Sequence, residues 1–160
     1  MMETSSERRR RLREETTAPA IRRLLEEICR ECRAEESTLW CLSEDGQALE
    51  GALNIGACPE VVEALAVPVG ESVIGLVVAS GQAAAIGPGD DYNRSVDEAT
   101  GVTSRAMIAA PVYLGERRSI VVSAINPEDR ERFPAEALEI LRWKAYLLGL
   151  VIEDRHGRDL

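Results

Sequence analysis

The run Thr100-Gly-Val-Thr-Ser-Arg-Ala-Met-Ile-Ala-Ala-Pro-Val112 constrains this chain more than any other. A glycine-bearing turn carrying hydroxyls and an arginine passes straight into an apolar segment that a proline closes. Met107 to Ala110 are apolar enough to form a strand inside a core, and the turn before them can hydrogen-bond at its mouth. A sheet domain presents a small polar ligand to one end of its core in this way.

The rest of the chain supplies the partners such a strand needs. Arg105 to Val112 and Ser119 to Ile125 are the two strongest strand patterns, joined by a turn over 114–118. An amphipathic helix is expected from Pro19 to about Ala34, then strands over Ser37–Leu42 and Ala48–Ile55, with Asp45-Gly46 as a two-residue hairpin signal. A loop over 56–59 precedes a short helix from about Glu60 to Ala66. Ser72 reads as the N-cap of the next helix, with Val73, Leu76 and Val77 on its buried face and Gly81 at its end. Gly75 sits inside that helix at a cost of up to ~1 kcal/mol relative to alanine, which a close approach to the sheet would explain. Ala83–Ile86 is a short strand, and Pro134 opens a last helix to about Asp154. This order gives an α+β fold with an antiparallel sheet and helices packed on one face.

Composition limits the function. The 160 residues suit one domain, with residues 1–17 as a charged, poorly ordered lead, 18–154 as the folded unit and 155–160 as a tail. Aromatic residues make up only 4%, so the core is built from Ala, Val, Ile and Leu, and a pocket of stacked rings is not expected. The net charge of -9 opposes a polyanion groove. The Arg8–Arg11 run does not change this, because residues 1–15 hold five arginines against four glutamates. The longest apolar run, Ala145–Ile152, has eight residues, against the ~20 that span a bilayer. The N-terminus is no secretory signal. A cytoplasmic protein with neither a nucleic-acid nor a membrane partner is expected.

Cys29 and Cys32 form a CxxC, yet they fall on or beside the helical stripe of Ile21, Leu24, Leu25 and Ile28, with no second pair or histidine near. They read as reduced, buried thiols like Cys41, and Cys58 as the most exposed of the four. No metal site is expected. No Ser/His/Asp set can be built around the sole histidine, His156, so no catalytic residue is assigned.

The last helix carries two apolar stripes. Leu138, Leu141, Ala145, Leu148 and Ile152 make one; Trp143, Tyr146, Leu147 and Leu150, rimmed by Arg142, Lys144 and Glu153, make the other. One sheet needs one stripe. The spare one implies a homodimer, with Leu141, Trp143, Tyr146, Leu148 and Leu150 as interface residues; the alternative is that Trp143 and Tyr146 cover residues 18–34 of the same chain.

Gly70-Glu-Ser72-Val-Ile-Gly75, the turn Ser80-Gly81-Gln82, the Thr100-Gly101…Ser104-Arg105…Pro111 strand, Asn126 and Phe133 occur together and in order. In these the chain resembles GAF domains over residues 18–153, as a small stand-alone protein of bacterial type. The resemblance implies a central antiparallel sheet of five or six strands, terminal helices on one face, and a lid with short helices on the other. It also implies a non-catalytic sensor of a small molecule, acting in signal transduction through dimerisation or a partner such as a kinase or regulator. A ligand-free scaffold for dimerisation or docking is the alternative.

Specialised branches fit less well. Pro127 and Ala137-Leu138 stand where cyclic-nucleotide binders have Lys and an acidic pair. Residues 87–105 hold neither the Cys nor the His of bilin binders. The branch that reduces free methionine sulfoxide needs cysteines where this chain has Val73 and Ile74. The ligand is unidentified and no cofactor is expected. Tyr92, Asp97, Thr100, Thr103, Ser104 and Arg105 are the ligand-binding candidates. Arg105 is either an anion partner or a tie to Asp97 or Asp91. Residues 87–103 are expected to act as a lid whose ordering moves the terminal helices.

Overall fold

The computed structural model describes residues 4–14, 18–90 and 104–157. Its centre is a six-stranded antiparallel sheet made of β1 (Ala34–Leu42), β2 (Ala48–Ile55), β3 (Ala66–Pro68), β4 (Ala84–Ile86), β5 (Met107–Leu114) and β6 (Arg117–Pro127), in the order β3-β2-β1-β6-β5-β4. β1 and β6, the central pair, are buried on both faces along most of their length.

The two faces carry separate cores. Helices α1 (Ser5–Glu14), α2 (Ala18–Cys32) and α5 (Ala135–Gly157) cover the first. There Ile21, Leu25 and Ile28 of α2 and Leu141, Leu148 and Ile152 of α5 pack against Leu39, Ile108 and Val122. Burying one such side chain stabilises by about 1.5–3 kcal/mol. Short elements cover the second face: α3 (Pro59–Val62), a 3-10 turn (Val69–Glu71) and α4 (Val73–Ser80). There Val62, Val67, Ile74 and Val77 meet Trp40, Ala109 and Val121. The α+β class, the sheet and the terminal helices match the sequence reading.

Several local expectations change. Residues Ser5–Glu14, read as a disordered lead, form a helix, because Leu12 is fully buried in the first core and Arg9 Nη2 lies 2.9 Å from Glu50 Oε2. The Asp45-Gly46 hairpin opens to residues 43–47, where the Asp45 carboxylate accepts from Ser43 Oγ at 2.7 Å and Gln47 N at 3.0 Å. The helix expected over 60–66 stops at Val62, because Ala66–Pro68 leaves it to pair with Ala48–Glu50. β5 starts at Met107 rather than Arg105. The last helix runs to Gly157, through part of the expected tail.

α4 begins and ends as expected. Ser72 Oγ accepts from Gly75 N at 3.0 Å, and Gly81 closes the helix in the left-handed region at φ +73. Its buried face is Ile74, Val77 and Val78; Leu76 points outward at 61% exposure. Gly75 is close-packed against the backbone of Val69 in the preceding turn, not against the sheet, and a Cβ there would collide with the Val69 carbonyl.

Candidate functional site

On the second face, the sheet turns polar at one end. Glu36, Thr38 and Trp40 share this face of β1 by the alternation of a strand. Thr38 pairs with Asn54 of β2 on one side and Ser123 of β6 on the other. All five side chains are buried. Trp40 Nε1 donates to Ser123 Oγ at 3.0 Å, and Asn54 Nδ2 donates to Thr38 Oγ1 at 2.7 Å. Asn54 Nδ2 also lies 3.5 Å from Glu36 Oε1, while Glu63 Oε2 accepts from Asn54 N at 3.3 Å. A polar floor is thus built into the sheet, flanked by α3 and by the apolar residues of α4. Sequence reasoning missed it. The signal was polar residues against apolar strand neighbours: Thr38 at the edge of Thr-Leu-Trp, Asn54 in Leu-Asn-Ile and Ser123 in Val-Ser-Ala.

The candidate strand mouth opens at this same end. Ser104 is buried at 8% exposure, immediately before β5. Arg105 is held there: Asn126 Oδ1 accepts from Arg105 N at 2.6 Å, and Asn126 N donates to Ala106 O at 2.9 Å. Asn126 takes φ +59, a left-handed conformation that asparagine tolerates better than most residues. The Arg105 guanidinium turns along the sheet edge, donating to Pro127 O at 2.9 Å and standing 3.7 Å from Glu35 Oε1. Its observed ties are therefore Glu35 and Pro127; the expected Asp91 and Asp97 lie outside the described residues. So do Tyr92, Thr100 and Thr103.

Cys29 and Cys32 are poor nucleophiles. Burial pushes Cys32 up to about 12, with Glu31 adding to the rise. Burial also raises Cys29, whose Sγ lies 3.3 Å from Ser37 Oγ. Cys29 and Cys58 are both half-buried. Among the described residues no group of three or more His, Cys, Asp or Glu side chains could hold a metal ion, and no helix is long and apolar enough to cross a membrane.

α5 meets the expectation of two stripes, with corrections. Leu141 and Leu148 are fully buried against the sheet and cannot face a second copy, while Trp143, Tyr146 and Leu150 are 59%, 57% and 46% exposed. Trp143 and Tyr146 stack on each other at 5.6 Å and do not cover α2. Lys144 is not on the rim but buried, its Nζ 2.8 Å from Glu31 Oε2 and 3.4 Å from Glu27 Oε2. Beside the exposed stripe, a cleft of about 380 Å³ lies between β5 and α5, lined by Pro111, Tyr113, Arg142, Tyr146 and Leu150 among others.

The sheet thus carries the terminal helices on one face and a buried polar row beneath short helices on the other. The GAF domain family profile matches residues 17–152. The chain belongs to the GAF domain family. GAF domains are a family of signalling and sensor domains. Solved structures share this fold at low identity. The GAF-B domain of DevS from Mycobacterium smegmatis superposes with a TM-score of 0.71 at 19% identity, over 89% of this chain and 97% of that one. The GAF domain of a phosphoenolpyruvate-protein phosphotransferase from Coxiella burnetii gives 0.76 at 14%, over 96% and 93%. The A. aeolicus nlh2 GAF domain in an inactive state gives 0.68 at 21%, over 94% of each. No curated protein matches the chain.

Proposed function

We propose that this GAF domain is a non-catalytic sensor that holds a small molecule over the polar floor and signals through a second copy of itself or a partner protein such as a kinase or regulator. The observation that carries this reading is the buried row Asn54–Thr38–Ser123 with Trp40 Nε1, set in a face that is otherwise apolar. Buried polar groups are costly unless paired, so a stability-driven core would fill these positions with Val or Ile. The row opens where Ser104 joins the preceding segment, whose Tyr92, Asp97, Thr100 and Thr103 are proposed to complete the ligand shell. Arg105 serves this site as a tie through Pro127 and Glu35. The raised thiols, with Cys32 at about 12, support a binding role over a thiol enzyme.

Native mass spectrometry of freshly purified protein, without refolding, tests the proposal. A species carrying extra mass, lost when Thr38 and Ser123 are replaced together by Val and Ala, supports it. No adduct from any preparation counts against it.

The exposed Trp143, Tyr146 and Leu150 favour a second reading, a ligand-free scaffold that dimerises or docks through α5. That reading gains if alanine at Trp143 and Tyr146 abolishes signalling while floor variants leave it intact.

A further inference from the structure

The floor holds one buried acceptor, Asn54 Oδ1, that finds no partner among the described residues. Asn54 is 1% exposed. Its Nδ2 points to Thr38 Oγ1 at 2.7 Å, with Glu36 Oε1 and Ser37 O each at 3.5 Å. Glu36 Oε1 and Ser37 O only accept, and the Thr38 hydroxyl can accept as well, so the amide nitrogen faces them: a flipped amide would set its oxygen against a carboxylate and a carbonyl. Asn54 Oδ1 is therefore turned away from them, and it finds no hydrogen-bond donor among the described residues. Natively buried acceptors are almost always paired, so an acceptor in the middle of a polar floor with no donor among the described residues is a candidate to receive one from a ligand.

The surroundings narrow that donor. Glu36 is buried at 7% exposure, brought close by Gly56, where any Cβ would run into its carboxylate. Glu63 Oε2 stands on the other side, at Asn54 N. Oδ1 is itself an acceptor and two carboxylates stand at the same residue, so a ligand group that brought another lone pair or a negative charge would be repelled. A group carrying N–H bonds gains a hydrogen bond, and a positively charged one gains Coulomb attraction as well.

We propose that the GAF floor recognises a hydrogen-bond-donating nitrogen, a primary ammonium or amide N–H of a small ligand, with Asn54 Oδ1 as the receiving atom. This rests on the reading of the floor as the ligand seat. It sets the chemistry opposite to the anion partner expected from Arg105.

Trp40 is the reporter, because its indole is bonded to Ser123 in the same row. The chain has 2 tryptophans, so Trp143→Phe leaves Trp40 as the sole emitter. In that background, methylammonium chloride, acetamide, sodium acetate and sodium chloride are titrated separately. The expected result is a saturable change in Trp40 emission with methylammonium or acetamide, linear drift with the two sodium salts, and at least tenfold weaker response in Asn54→Leu. Asn54→Ala, which removes the acceptor without adding volume or charge, is expected to show the same loss; it carries the test if Asn54→Leu fails to fold by circular dichroism. Saturation by acetate alone would overturn the donor assignment while leaving the floor as a ligand seat. An undiminished methylammonium response in folded Asn54→Leu also overturns it. Silence to every probe removes both the donor assignment and the floor as the seat.

Discussion

Replacing Gly149 by alanine sets two well-calibrated effects against each other. In the interior of an unencumbered helix, Gly→Ala stabilises by about 0.5–1 kcal/mol, because glycine loses more backbone freedom on folding. Gly149 lies where α5 rests on β5, and an ideal Cβ there would stand 2.5 Å from the Tyr113 carbonyl oxygen. Tight contacts end at 3.4 Å, so the helix must back away from the strand by 0.9 Å. The opposing atom is backbone, in a residue opposite Arg118 of β6 just past a register irregularity in the ladder, and cannot swing aside as a side chain would. Backing off loosens Leu141, Ala145, Leu148 and Ile152, the whole buried stripe of α5. Forcing extra volume into such a contact costs about 1–3 kcal/mol, which outweighs the propensity gain. We expect a net loss of about 1–2 kcal/mol, or roughly 3–6 °C in Tm for a chain of this size. Urea denaturation with an unchanged m-value measures it, alongside Glu139→Ala on the exposed side as a control within about 0.5 kcal/mol of the wild type. A Gly149→Ala protein as stable as the wild type, or more so, would refute the packing argument.

Other expectations follow from single contacts. Asn126→Ala loses the 2.6 Å bond to Arg105 N and places a Cβ-bearing residue without a polar side chain at φ +59; it should cost about 2 kcal/mol in chemical denaturation, and Asn126→Gly less. Ser72→Ala removes the cap on Gly75 N and should lower stability by about 1 kcal/mol, measured the same way. Stability should fall on the alkaline side. Burial raises Cys32 from 9.0 to about 12, so the unfolded chain releases that proton first and the folded state loses ground as pH rises from 9 to 12. Lys144 acts in the same direction above 10.5: burial works against its charge, but Glu31 and Glu27 outweigh it and leave its pKa raised. Thermal melts at stepped pH should show the decline, with Cys32→Ala flattening its first part; a flat wild-type curve from pH 9 to 12 refutes the assignment. Finally, joint Trp143→Ala and Tyr146→Ala should yield monomer in analytical ultracentrifugation if α5 joins two copies, with little change in Tm of the isolated domain. A wild-type protein that is already monomeric at all concentrations would refute the dimer.

The fold was largely legible from local chemistry. The Ser72 cap, the Gly81 terminator, the strands at 48–55 and 107–112, and the buried stripe of α5 are written in neighbouring residues, whose hydrogen bonds and periodicity are decided within one turn or one strand. The candidate site was less legible. Thr38, Asn54 and Ser123 are each unremarkable in sequence, 16 and 69 positions apart. They become a row only because β1 pairs with β2 on one side and with β6 on the other.

The errors share that cause. Leu141 and Leu148 belong to an apolar helix whose faces are all occupied, and hydrophobicity alone cannot say which face meets the sheet and which meets solvent. The charged lead became a helix because one leucine, Leu12, found a place in a core assembled from distant strands. Lys144, drawn on the rim of the exposed stripe, is buried because α2 supplies Glu27 and Glu31. The ties of Arg105 to Pro127 and Glu35 come from the ends of β6 and β1 and could not be read from its own neighbours. By itself, then, the sequence determined most of the elements, the family and an acidic, aromatic-poor character, since these depend on composition and on residues a few positions apart. Tertiary structure alone decided which polar groups are buried together, which helix face stays bare and which acceptor is left without a donor, because each depends on strands and helices brought together from distant parts of the chain.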